Sequence, residues 1–489
     1  MVPASIAIFS RLLKNISVEV RLFDTSLYNK QEDVDADASE EKNLTVKPFS
    51  GKILLLKNKI KYKTGDVVAD LRNAIAEFNP DLLAVTAVES TFEGSLNLLG
   101  NIRDCKIPVI LGGVFATFAP EIAIAAPEID MICVGEGERA IIELAQKMRE
   151  GKEYYDVPNL WVKQKDGRII KNSVAPLVNL DDNPLLDIEI FEDSRFYRAM
   201  GGQIYRMFPV ETHRGCIFSC GFCNSPLQNK MYKEKTNQVF FRYKSISKVM
   251  EEIEYYKKLN AEYLFFWADN FFAYPPKQID EFCEMYKSYR IPFYCQSHPE
   301  NLSGDKIKKL KDAGMQRVGI GIEHGNEKFR RQVVNRNYSN KTLIEKLRLL
   351  DDYNVEYSVN NMVGFPDETP ELAMDTVELN RQHNAVDISC SIFTPFHGTP
   401  LRKLAIQRGY MTDDSVIAPS NTDDSSVLVM PQFTQEQIVG KRRTFNMYIR
   451  FPKNRWRDIE FAERLTPEGN LAWERLRKEY LETYIKDDL

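Results

Sequence analysis

The chain has 489 residues, 43% hydrophobic and 28% charged, with a formal net charge of −5. That length asks for two to three domains with ordinary buried cores, and the slightly acidic balance gives no basis for bulk binding of nucleic acid. Eight cysteines without paired secretory spacing, no apolar run long enough to span a bilayer and no signal-peptide pattern around Lys14 argue for a reducing, cytoplasmic setting.

In chain order, Ile6, Ala7, Phe9, Leu12 and Leu13 recur as on a helix. Residues 18–24 alternate like a half-buried strand, and residues 29–64 turn acidic and then lysine-rich, as a surface insertion does. Val67, Val68, Leu71 and Ile75 mark a helix. Short apolar runs at 81–86, 107–113 and 131–135 suit strands buried on both faces of a parallel sheet. This alternation implies a Rossmann-like, doubly wound α/β domain over residues 1–150. Ligands meet such sheets at the carboxyl ends of the strands, where Thr86, the pair Gly112-Gly113, and Gly135-Glu136-Gly137-Glu138 stand. Glycine there admits close backbone approach to a large ligand.

Residues 151–205, rich in Asp, Pro and Asn near 180–184, read as a connector. From 206 to 410 apolar runs at 208–212, 263–270, 292–296, 318–323, 357–364 and 388–393 alternate with helical patterns. Six such units imply a partial (βα)6 barrel of the TIM type, with its site at the carboxyl ends of the strands. Residues 411–489 form a helical tail. Its basic residues interleave with Phe445, Tyr448, Phe451 and Trp456, which reads as a solvated face with core anchors in preference to an RNA-binding patch. The tail is expected to close over the barrel mouth and shape substrate choice.

Directly after the first barrel strand come Cys216, Cys220 and Cys223, spaced Cys-x3-Cys-x2-Cys. Three thiolates on one loop hold three corners of a cubane 4Fe-4S cluster and leave one iron open for a substrate or cofactor. A zinc site completed by His213 is the plainer alternative. The other five cysteines stand alone, which leaves no ligands for a second cluster.

The cysteine loop, with Phe222 before its last ligand, resembles that of the radical S-adenosylmethionine enzymes. The segments 21–25, 111–117 with Pro120-Glu121, and 134–138 resemble the cobalamin-binding domain that precedes many of them. Relatives often carry His where this chain has Phe115, and no histidine occurs before His213, so no imidazole of the front domain can ligate cobalt. The resemblance implies that S-adenosylmethionine chelates the open iron and is cleaved to a 5′-deoxyadenosyl radical. It casts Cys216, Cys220 and Cys223 as metal ligands and Phe222 as a neighbour of the cluster. Glu323, Gln296, Met362 and Gly364 become contacts to S-adenosylmethionine, with His298, Asp269 and Asn270 near substrate or methionine. Thr86, Gly112, Gly113, Gly135, Glu136 and Gly137 become contacts to cobalamin.

It further implies methyl transfer to an unactivated carbon of a small-molecule substrate, and an electron donor such as flavodoxin or ferredoxin. A cobalamin-dependent cyclisation or rearrangement, a vestigial front domain without cobalamin, and an RNA-modifying protein are the alternatives.

Overall fold

The computed structural model describes residues 2–28, 59–201, 203–418 and 425–484. Most of the insertion expected at 29–64 lies outside them. The N-terminal domain is a five-stranded sheet in the order β1 (Leu83–Thr86), β2 (Val109–Gly112), β3 (Met131–Cys133), β4 (Leu160–Lys163) and β5 (Ile169–Lys171). The first three strands are parallel, and β4 and β5 are antiparallel additions. Helices α1 (Ala4–Asn15), α2 (Val67–Phe78), α3 (Glu89–Gly100), α4 (Val114–Phe118), α5 (Pro120–Ala125) and α6 (Glu138–Arg149) complete it. Leu111, Phe115 and Ile124 pack on one face of the sheet, and Met131, Leu144 and Leu160 on the other. Both faces are covered, which is why the strands read as unbroken apolar runs.

Two expectations change here. Residues 18–24 form no strand: they lead into a short turn at Thr25–Leu27, and among the described residues the nearest ladder contact is the single Tyr28–Lys63 bridge. Alternation alone makes no strand unless a neighbour takes the backbone hydrogen bonds. The connector is also not featureless. Its first part is the β4–β5 hairpin, turned at Asp166-Gly167 with Gly167 at φ +85°, so the front domain extends past residue 150. Asp-Gly between alternating residues is a hairpin signal, and it lay unread in the sequence.

The second domain is a seven-stranded sheet in the order β14 (Asp387–Ile392), β13 (Glu356–Val363), β12 (Met315–Glu323), β11 (Phe293–Ser297), β10 (Tyr263–Phe266), β7 (Gln203–Val210) and β6 (Tyr197–Met200). Six strands are parallel, and β6 joins β7 as an antiparallel hairpin. A small ribbon, β8 (His213–Arg214) with β9 (Arg242–Tyr243), flanks the cysteine loop. Helices α7 (Ser225–Thr236), α8 (Ile246–Lys258), α9 (Pro276–Tyr286), α10 (Gly304–Ala313), α11 (Asn340–Asp352), α12 (Pro370–Asn380) and α13 (Pro400–Gln407) follow the strands. Their apolar faces and the outer residues of the strands, such as Phe208, Leu264, Ile320 and Val359, form one large core. This is the partial (βα)6 barrel expected from the sequence. Helix α1 belongs to both domains: Ala4, Ala7 and Ile8 join the barrel core, and Ser10 and Lys14 reach Asp187 at 2.6 and 2.7 Å.

The tail folds as α14 (Gln435–Arg450), α15 (Trp456–Ala462) and α16 (Pro467–Tyr484). Helix α14 lies along α12, β13 and β14, and Asn446 Nδ2 donates to the Ile388 carbonyl at 2.8 Å. It covers the edge of the open barrel, where an uncovered strand invites aggregation.

Candidate active site

The inner face of the barrel follows from strand alternation. Phe265 stacks on Tyr294 at 4.8 Å. A Cβ on Gly319 would strike the Tyr294 hydroxyl and lie 3.5 Å from Ser358 Oγ, so these residues share one face. Two residues further along each strand stand Trp267, Gln296, Gly321, Asn360 and, beyond it, Met362. One wall of the lumen is aromatic, and the opposite wall, where Ser389 Oγ donates to Asn360 Oδ1 at 2.8 Å, is polar.

Above the strands lies the cysteine loop. Gly215 enters it at φ +84°, where a side chain would meet Phe240 at 2.8 Å and the Phe241 backbone at 3.1 Å. Gly221 donates its N–H to the Val334 carbonyl at 2.9 Å, and its own carbonyl accepts from Leu401 N–H at 2.9 Å. The loop is thus fixed between a π-helical turn at Arg330–Val334 and the start of α13. Burial raises the Cys216 thiol to about 11 and the Cys223 thiol to about 12. Both are protonated at neutral pH until a metal displaces the proton.

Do these residues fit a cluster? Their donors are all sulfur, which suits iron–sulfur ligation. Among the described residues no three His, Cys, Asp or Glu gather around a single ion. A cubane requires no such gathering, because each thiolate binds its own iron. His213 lies in an aromatic cage of Phe241, Tyr243 and Tyr274, with ring centroids 5.5–5.7 Å away, and its Nδ1 is 3.1 Å from Thr212 Oγ1. Burial lowers its pKa to about 4. That position leaves the zinc alternative without support.

One residue at the cluster loop had no signal in the sequence reading. Arg336 follows the π turn, and its Nε donates to Cys220 Sγ at 3.2 Å. Its Nη2 pairs with Glu323 at 3.3 Å, and its guanidinium lies 5.4 Å over Phe222. Glu323 sits at φ +69°, just past a register shift in β12, which turns the carboxylate toward Arg336. Burial raises the Glu323 pKa, and Arg336 opposes that rise. Glu323, Phe222 and Cys220 therefore form one constellation around a buried cation. His298, on the far side of the loop, stacks on Phe218 at 3.6 Å. Asp269 is enclosed by protein yet keeps its side chain accessible, as a group lining a cleft does, and burial raises its pKa to about 6. Asn270 instead braces Asn301 and the His298 backbone.

Gly364 follows β13 directly. Its N–H donates to Glu368 Oε2 at 2.6 Å, and Glu368 is itself 3.1 Å from His324. The Gly364 N–H is thus engaged within the chain, and the Met362 side chain stays on the lumen face.

In the front domain, Thr86 and Gly112 are paired in register at the ends of β1 and β2. Thr86, Val88, Gly113 and Val114 are exposed there. Gly113 has φ +106°, and a Cβ would lie 2.5 Å from the Ala87 carbonyl, so glycine keeps this rim flat. A bare, glycine-flattened rim fits a large planar corrin. The third segment behaves differently. Glu136 accepts from Arg214 at 2.9 Å, from Arg242 at 2.5 Å and from Val178 N–H at 3.2 Å. The Glu136 N–H meets Tyr232 Oη at 2.7 Å, Gly135 abuts Tyr232, and Gly137 abuts Phe9. These residues, expected at cobalamin, seal the two domains together, because the arginines beside the cysteine loop need buried counter-charges. Glu211 belongs to the same network: burial opposes its charge, yet Arg214 and Lys244 hold its pKa down at about 2.

The profile of the radical SAM superfamily matches residues 210–379, and that of the B12 binding domain matches residues 59–145. The chain is 26% identical over 403 residues to an uncharacterized methyltransferase of Pyrococcus horikoshii, covering 80% of this chain and 83% of that one. It is 25% identical over 346 residues to the anaerobic magnesium-protoporphyrin IX monomethyl ester cyclase of Rubrivivax gelatinosus, covering 68% of this chain and 60% of that one. Among solved structures it is similar to the radical S-adenosylmethionine methyltransferase TsrM from Kitasatospora setae with cobalamin and [4Fe-4S] cluster bound. That match has a TM-score of 0.65 at 14% identity, over 99% of this chain and 96% of TsrM. On these two domain matches the chain is a member of the radical S-adenosylmethionine enzymes with an N-terminal cobalamin-binding domain, using a 4Fe-4S cluster, S-adenosylmethionine and cobalamin.

Proposed function

We propose that this enzyme transfers a methyl group to a carbon of a small-molecule substrate. The observation that carries the reading is the joining of the two sites in one chain. The front domain, whose sheet ends in the glycine rim, is tied to the barrel beside the cysteine loop through Glu136 and Arg214. Bound together, S-adenosylmethionine and cobalamin supply hydrogen abstraction and the methyl group. The chain's own residues hold, orient and shield. Cys216, Cys220 and Cys223 hold the cluster, with Arg336 fixing Cys220 and Glu323. Thr86, Gly112 and Gly113 offer backbone to the corrin. The lumen sets aromatic Phe265, Trp267 and Tyr294 against polar Ser358, Asn360 and Ser389, which suits a small substrate carrying a ring and hydrogen-bonding groups. Asp269 opens into the same space. A donor of the flavodoxin or ferredoxin type supplies the electron.

Similarity to the cyclase supports a second reading, ring closure without methyl transfer. RNA modification finds less support, because tail cations are engaged within the chain. Lys441 pairs with Glu463 at 2.5 Å, Arg455 with Glu479 at 2.6 Å, and Arg443 Nη2 donates to the Ala462 carbonyl at 2.5 Å. The test is product analysis of S-adenosylmethionine turnover in reduced, cobalamin-loaded enzyme. Methyl transfer yields S-adenosylhomocysteine alongside 5′-deoxyadenosine. Formation of 5′-deoxyadenosine alone, with substrate consumed, would replace the proposal by cyclisation or rearrangement.

A further inference from the structure

Glu89 opens helix α3 directly beyond the exposed rim at Thr86 and Val88, yet it is buried. A carboxylate in a first helical turn is favoured by the helix dipole, and burial demands that its oxygens find donors. Every such donor comes from the other domain. Glu89 Oε2 accepts the His397 N–H at 2.8 Å. Oε1 accepts from His397 Nδ1 at 2.8 Å and from the Ile417 N–H at 3.0 Å. Arg402 Nη1 stands 3.7 Å away. The contact to Oε1 places the imidazole proton on Nδ1, since a bare Nδ1 would face a second acceptor.

His397 is tied equally firmly on its other side. Its carbonyl accepts from Asn224 Nδ2 at 2.7 Å, and Asn224 follows the cluster ligand Cys223 directly. Four residues on, Leu401 N–H holds the carbonyl of Gly221, between Cys220 and Cys223. Next to His397, a Cβ on Gly398, at φ +80°, would strike the Phe118 ring of the front domain. The turn therefore cannot stand off from either partner.

We infer that Glu89, His397 and Asn224 form a positioning relay that sets the cluster loop against the cobalamin-bearing rim. Glu89 touches neither cofactor ligand. It acts through His397, whose residue is held at its N–H and ring by one domain and at its carbonyl by the side chain beside Cys223. The relay rests on the assignment of both cofactors to this chain. It adds a specific claim: removing a carboxylate in the front domain loosens the geometry of the cluster.

The test is the full chain with cluster and cobalamin, partially reduced, read by pulsed EPR for the magnetic interaction between the reduced cluster and cob(II)alamin. Wild type is expected to give one narrow distance. Glu89→Ala and Asn224→Ala are both expected to load cobalamin and cluster and yet to broaden and shift that distance by about 1 Å, the scale at which misplacement costs about 10²-fold in rate. Should Glu89→Ala fail to fold, Glu89→Gln keeps the volume while one donor faces its amide, and it is expected to show the same broadening. Wild-type distances in cofactor-loaded Glu89 variants overturn the inference. Broadening in the Glu89 variants with none in Asn224→Ala overturns the relay and leaves simple domain packing. Absence of a cobalamin signal in wild type would overturn the cofactor assignment itself, a separate and recognisable result.

Discussion

At the cysteine loop the atoms offered to the proposed cofactor are side chains: three sulfurs, a guanidinium 3.2 Å from one of them, and a carboxylate behind it. At the ends of β1 and β2 they are mostly backbone, left bare by Gly112 and Gly113 and bordered by Thr86. The first arrangement concentrates buried charge and must be paired to persist. The second does little electrostatically and depends on shape. The two sites should therefore fail in different ways when altered, the loop by loss of chemistry and stability together and the rim by loss of fit.

The largest effect is expected from Cys216→Ala, Cys220→Ala or Cys223→Ala. Each should abolish the cluster's absorbance and reductive cleavage of S-adenosylmethionine while leaving cobalamin bound, measurable by iron and cobalamin content. Loss of both cofactors together would break the comparison, since the rim would then depend on the loop. Next is Arg336→Ala, which leaves Glu323 buried without its partner. Breaking a buried pair costs about 3–5 kcal/mol, so denaturant unfolding should shift by that order. Removing the positive charge beside Cys220 should also lower the cluster's reduction potential, because reduction adds negative charge there.

A smaller effect is expected at the rim. Gly113→Ala puts a Cβ 2.5 Å from the Ala87 carbonyl at a positive φ, for a cost of about 1–3 kcal/mol. It should weaken cobalamin binding in titration and leave cluster content unchanged. The smallest concerns pH. Asp269 has a folded-state pKa of about 6, raised by burial above its usual value of 3.8. A carboxyl raised on folding weakens the folded state once ionised, with the effect growing as pH climbs from about 4 through 6. Asp269→Asn should therefore raise Tm above pH 6 and leave it unchanged near pH 3. Equal shifts at both pH values would show that Asp269 is not held in a desolvated cleft.

Much of this was legible in the sequence because the signals are local. Cys216, Cys220 and Cys223 lie on one loop, and the apolar runs of the barrel strands mark buried parallel β-structure. What was missed is non-local. Arg336 lies 116 residues from Cys220 along the chain, and Glu89 lies 308 from His397. An arginine after a helix and a glutamate at a helix start carry no pattern of their own. Glu136 has a non-local environment as well: Gly-Glu-Gly after a strand reads as a ligand turn, and only folding brings Arg214 and Arg242 onto it. The strand expected at residues 18–24 failed because alternation does not supply a partner. The Asp166-Gly167 hairpin, by contrast, was present in the sequence and lay within a stretch read only as a connector.

The two proposed sites, iron–sulfur and cobalamin, lie on one chain and are set against each other. Anaerobic purification and reconstitution with iron, sulfide and hydroxocobalamin, followed by combined absorbance and EPR, tests this arrangement most directly. One cubane cluster and one tightly held cobalamin per chain are expected, the cluster signal changing when S-adenosylmethionine is added. A cluster-loaded protein that leaves cobalamin in the flow-through would contradict it.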